Sequence, residues 1–233
     1  MNSYPCARRP RTTVLRCSSG RNKLVFVLAA AVLALAAASA IDRGGSGKES
    51  SAGWYVTVYY TAVEAHHDED PVPVTGCLVI DCERGDDHLG RYPGGFVQAV
   101  EAEGTGRIVS GRHAGRYLNW SHDIGFWLDN APRDSHGRPL EPFVSAAADP
   151  NVLGAGRELR ITGCGTAEDG TAIDAGVCDR LRSASWRIMD EFTPGLGGDR
   201  HIDVYLGEET GPDFTSDPMY SSLHNATLEL GRP

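Results

Sequence analysis

From Val144 to Gly207 the chain breaks into short β-prone runs, each ended by glycine, proline or aspartate. Runs of about five or six residues have no stable existence outside a sheet. A chain made of many such runs with few helices has to close them on one another, and a small closed barrel is the expected solution. Extended segments are predicted at Trp54–Thr61, Pro71–Ile80, 106–110, 115–120, 123–129, 143–148, Arg157–Thr162, Trp186–Asp190 and Ile202–Leu206. Trp54–Thr61 is β-branched or aromatic throughout, which suits a strand buried on both faces. Phe96, Val97 and Val100 recur at helical spacing before Gly104, predicting a helix over 94–103. A second helix is expected near 174–184. Beyond Glu208 the chain is turn-rich and is expected to pack loosely around the barrel. The fold class is therefore mainly β.

Residues 1–41 read differently. Arg8, Arg9, Arg11, Arg16, Arg21 and Lys23 precede an apolar Ala/Leu/Val run from Leu24 to Ile41. A basic start followed by an apolar stretch is the pattern of an export signal, and Ala38-Ser39-Ala40 fits a cleavage site. Uncleaved, the run is long enough to anchor the chain in a membrane, with the basic flank inside. Residues 42–53 are Gly/Ser-rich and charged, and are expected to form a flexible linker. Residues 54–233 then form one extracytoplasmic domain, secreted or membrane-anchored.

The first 41 residues hold six of the 22 Lys and Arg and none of the 31 Asp and Glu, so the remainder carries a net charge of about −15. A surface so acidic disfavours nucleic acid and anionic lipid as partners. Cys77, Cys82, Cys164 and Cys178 fall in the exported part, where disulfides persist. Four cysteines allow three pairings, and nearness in sequence favours Cys77–Cys82 and Cys164–Cys178. Their spacing does not suit zinc, and no metal or cofactor is expected.

Parity along His201–Leu206 puts Ile202, Val204 and Leu206 on one strand face and His201, Asp203 and Tyr205 on the other. If the aliphatic face fills the barrel, Asp203 points into a polar space beside an aromatic ring. An exposed strand face of ordinary polar residues fits the parity equally well. The three glycines of Gly195-Leu196-Gly197-Gly198 allow backbone with φ > 0 and close approach just before Asp203. Asp149, before Pro150, and Asp190, closing a strand, are two further acids at strand ends. Either could serve only its turn. Together the three acids suggest a carboxylate-lined groove suited to acid-catalysed sugar chemistry. No Ser/His/Asp order or Gly-x-Ser-x-Gly elbow competes with it.

The stretch from Ala148-Asp149-Pro150-Asn151-Val152-Leu153-Gly154 to Arg160-Ile161 resembles the first motif of the three-aspartate domain shared with the membrane-bound lytic transglycosylase A family. Asp190, the glycines at 195–198 and Ile202-Asp203-Val204-Tyr205 resemble its second half, and Val56–Thr61 is similar to its first strand. The resemblance implies a six-stranded double-psi β-barrel with short helices and long loops. It also implies cleavage of peptidoglycan glycan strands, with Asp203 matching the catalytic acid and Asp149 and Asp190 the supporting pair. Tyr205 and Trp120 are then expected as sugar platforms, and His201, Gly197 and Gly198 as further substrate contacts. The expected partners are glycan strands, and the membrane if the leader stays uncut; a monomer is expected. A non-catalytic extracellular barrel that binds glycan or protein is the alternative.

Overall fold

A computed structural model describes residues 48–232. The leader or anchor expected over 1–41 and residues 42–47 of the linker lie outside the described residues. In chain order the strands are β1 (Glu49–Val63), β2 (Pro71–Gly76), β3 (Asp87–Pro93), β4 (Thr105–Arg107), β5 (Tyr117–Ser121), β6 (Gly125–Asp129), β7 (Ser145–Ala148), β8 (Glu158–Gly163), β9 (Trp186–Glu191), β10 (His201–Glu208) and β11 (Leu223–Leu230). Helix α1 (Gly94–Glu103) precedes β4, and α2 (Ala175–Ser183) precedes β9. The expected helix over 94–103 forms with those bounds, stopped by Gly104 in the left-handed region at φ 84°.

Six strands close on themselves in the order β10-β7-β9-β8-β11-β1, with β1 returning to β10. The expected closed barrel is present. β1 runs parallel to β10, and β7 parallel to β9. Parallel neighbours cannot be joined by a hairpin, so their connections cross the barrel ends, as in a double-psi arrangement. Val56, Val58, Ile188, Ile202, Val204 and Leu228 are buried in one continuous core. Each such side chain contributes about 1.5–3 kcal/mol on burial. The far end of β1 leaves the barrel to pair with β4, which continues through β5 to β6. β2 and β3 form a separate hairpin. Both expected disulfides form, Cys77–Cys82 and Cys164–Cys178.

Three expectations need correction. Strand β1 begins at Glu49 rather than Trp54, because Glu49 to Ala52 pair through their backbone with Leu230 to Thr227 of β11. Their side chains are polar or small, so composition hides the pairing. The tail beyond Glu208 is not loosely packed, since β11 is a barrel strand with Ala226, Leu228 and Leu230 buried. Asn225, at φ 58°, breaks its alternation. The extended piece expected over Pro71–Ile80 ends at Gly76, where the disulfide-closed turn begins, and β3 follows it.

Candidate active site

The barrel's register builds a row of side chains across four strands. Thr57 of β1 pairs with Asp203 of β10, Asp203 with Ala147 of β7, and Ala147 with Asp190 of β9. Residues paired across a sheet point to the same face. That face is the outside of the barrel, because Ile202 and Val204, which alternate with Asp203, fill the inside. Asp190 belongs to the row only through a β-bulge. Ile188 pairs with Ala146 and faces the core, but the next pair is Asp190 with Ala147, so Met189 is the extra residue. Without the bulge, alternation would turn Asp190 inward. One strand separates the two acids, so ordinary strand spacing sets their Cα atoms about 9–10 Å apart. Between them is only the methyl group of Ala147.

A cleft of about 300 Å³ opens over this row, lined by Asp203, Asp190 and Ala147 together with Tyr59, Trp120, Phe192, His201, Glu103 and Arg133. Inside it the two aspartates differ in environment. Asp190 Oδ1 accepts from Ser135 N at 3.0 Å, Ser135 Oγ at 2.9 Å and Glu191 N at 2.9 Å. Burial raises its pKa above the ordinary carboxylate value, and those donors pull the other way. Asp203 keeps some exposure toward the cleft, yet its Oδ1 is wholly covered and makes no hydrogen bond among the described residues. Burial, then the charge of Asp190, raises its pKa to about 7, against the Thr57 hydroxyl and the Val204 amide. The Tyr59 hydroxyl is likewise buried and unpartnered. Burial and the charges of Asp190 and Asp203 keep it protonated. An acid half-protonated near neutrality, beside an unpartnered hydroxyl, is equipped to give a proton to a ligand oxygen.

His201 lines the cleft, with Nε2 2.9 Å from Thr57 Oγ1 and its ring 4.5 Å from that of Phe192. Burial lowers its pKa, which favours the neutral ring. Trp120 lines the cleft as expected. Tyr205 does not. It is 1 % exposed and packs with Tyr59 and Leu140, and its hydroxyl is 2.5 Å from Thr61 Oγ1. Leu140 covers the face that parity left open, so Tyr205 offers no surface to a sugar. Phe192 and Trp120 supply the aromatic surface instead.

Asp149 follows β7 directly but does not line the cleft. Its Oδ1 accepts from Asn151 N at 2.9 Å and Asn151 Nδ2 at 3.1 Å, so it shapes its own turn. A Cβ on Gly197 would come within 3.1 Å of both Asp149 Cβ and Phe192 Cδ2. The close approach expected of this glycine is therefore to Asp149 and Phe192. Gly198 adopts φ 149° and meets nothing close by. Neither glycine lines the cleft, although Leu196 between the glycines does.

Glu103 has no counterpart in the sequence reading. It ends α1, and its Oε2 accepts from Tyr60 N at 3.2 Å. That amide lies between Tyr59 and Thr61, where a register shift interrupts the β1–β10 ladder. Tyr220 Oη donates to its Oε1 at 3.4 Å. Burial and the charge of Asp203 raise the pKa of Glu103 to about 8. Three carboxyl groups of the cleft, Glu103, Asp190 and Asp203, thus have raised pKa values.

No family model and no curated protein matches the chain. Solved structures of similar fold are found. The structure of Escherichia coli MltA with bound chitohexaose aligns at TM-score 0.51 and 13 % identity, over 77 % of this chain and 72 % of that one. A membrane-bound lytic murein transglycosylase from Agrobacterium tumefaciens aligns at TM-score 0.48 and 12 % identity, over 76 % and 73 %. MltA from Neisseria gonorrhoeae aligns at TM-score 0.43 and 12 % identity, over 79 % and 75 %. The resemblance carried by the aspartate motifs is thus matched in the fold, which is similar to that of E. coli MltA.

Proposed function

We propose that this barrel cleaves the glycan strands of peptidoglycan as a lytic transglycosylase does, with Asp203 as the single acid and base. The observation that carries the reading is the wholly covered, unpartnered Oδ1 of Asp203, in a cleft with aromatic walls and with Asp190 in the same row. The chitohexaose bound by E. coli MltA supports a glycan ligand for a barrel of this fold. In the reaction, the Asp203 carboxyl gives its proton to the glycosidic oxygen, and the bond from that oxygen to C1 breaks. C1 becomes oxocarbenium-like, and the negative charge of Asp190 favours that state. The C6 hydroxyl of the same muramic acid residue attacks C1 and returns its proton to Asp203. The product is a 1,6-anhydro sugar, and no water is consumed. Trp120 and Phe192 offer apolar surface to the pyranose rings. Asp149, Gly197 and Gly198 support the cleft by shaping the turns beside it.

We also read residues 1–41 as a leader or anchor that puts the domain outside the cytoplasm, in keeping with its two disulfides. Among the described residues no helix is long and apolar enough to cross a membrane. The test is digestion of purified peptidoglycan by wild type and Asp203→Asn, with products weighed by mass spectrometry. Anhydro-muropeptides from wild type alone are the expected result. Products heavier by one water would mean hydrolysis, and no product from wild type would leave a binding barrel.

A further inference from the structure

A second groove, of about 530 Å³, shares no lining residue with the cleft. His88 and Arg91 of β3 line it, opposite Arg112 and His113 of the turn before β5. No Asp or Glu is among its lining residues. Outside the first 41 residues the chain carries a net charge of about −15. Four basic side chains meeting without a carboxylate are therefore against the odds of this composition. Burial and then the charges of Arg112 and Arg116 disfavour the charged form of His113.

The groove is also built on fixed supports. The buried carboxylate of Glu64 lies behind the turn and accepts from Val109 N at 2.7 Å, Ser110 N at 2.9 Å and Ser110 Oγ at 2.6 Å. Arg116 N donates to His113 O at 3.0 Å, closing the turn on its other side. On β3, Arg91 Nη2 donates to Pro71 O at 2.5 Å and keeps its other donors. His88 Nδ1 accepts from Gly90 N at 3.0 Å, which leaves Nε2 as the ring's donor. Arg112 has no hydrogen bond or ion pair among the described residues.

We infer that this groove is an anion site that takes a phosphoryl group. Guanidinium and imidazole donors approaching from two walls suit the several oxygens of a tetrahedral phosphoryl group. A membrane surface is a poorer fit. The basic groups line one groove rather than a broad face. The site stands apart from the glycan cleft, so the failure of one reading leaves the other intact.

The experiment titrates inorganic phosphate and a short poly(glycerol phosphate) into the full chain by calorimetry at low salt. Saturable binding of both, weakening as salt rises, is expected. Arg112→Gln should weaken it by roughly tenfold or more, the worth of a charged hydrogen-bond donor. Arg112→Glu should abolish it. Both variants should melt as wild type does, since Arg112 holds nothing else in place, and Asp203→Asn should bind phosphate unchanged. Absence of saturable binding by wild type would overturn the inference, as would equal binding by Arg112→Gln. Binding to anionic phospholipid vesicles without binding to either soluble probe would also overturn it.

Discussion

Replacing Asp203 by Asn should abolish cleavage and make the protein more stable, and only at neutral or alkaline pH. The folded carboxyl titrates near 7 rather than at its ordinary 3.8. Between these values the folded state holds a proton that the unfolded state has released. Stability therefore falls as pH rises through this window and levels off above about 7. Ionisation at the top of the window costs about 4 kcal/mol, from about 1.4 kcal/mol per tenfold change in acidity. Asn never ionises, and its amide stands in for the protonated carboxyl. A gain of about 4 kcal/mol at pH 8 is expected, or roughly 8–16 °C in melting temperature for a domain of this size. At pH 4 the two proteins should melt within about 1 °C of each other. Paired thermal melts at pH 4 and pH 8 provide the test. An Asp that served only the fold would give the opposite result, a loss on substitution that is largest at pH 8. Either that outcome or a pH-independent gain would refute the argument that the fold keeps Asp203 protonated.

Asp190→Asn removes a charge that raises the pKa of Asp203. Cleavage needs Asp203 protonated, so its decline with rising pH should begin at lower pH in the variant, read from kcat/KM against pH. Glu103→Gln should keep most activity at pH 6, because Gln reproduces the protonated carboxyl that accepts from Tyr60 N. Glu103 titrates near 8, above its ordinary 4.5, so wild-type stability falls as pH rises toward that value. The variant should lack this part of the decline when urea midpoints at pH 7 and pH 9 are compared. Cys164→Ser with Cys178→Ser opens a link across a sequence separation of 14. That should cost about 3 kcal/mol in urea unfolding, against about 2 kcal/mol for the shorter Cys77–Cys82 link.

What the sequence made legible was local. Parity along β10 identified the strand face of Asp203, because side-chain direction depends only on position within the strand. Spacing gave α1, and nearness gave the two disulfides. The misses came from what lies over that strand face. Tyr205 shares the face of Asp203, but Leu140, from a loop far away in sequence, seals it. Glu103 gained its place from the amide of Tyr60, freed where the β1–β10 register shifts, and helical periodicity carries no trace of such a contact. Asp190 is the instructive case. Counted from Trp186 and Ile188, both in the core, simple alternation assigns it to the barrel interior. The Met189 bulge reverses that assignment and sets the carboxylate across Ala147 from Asp203. The pairing of the two acids therefore depends on one extra residue. Deleting Met189 should direct Asp190 toward the core, where an unpaired charge is costly, and so destabilise the chain most at pH values where that carboxyl ionises.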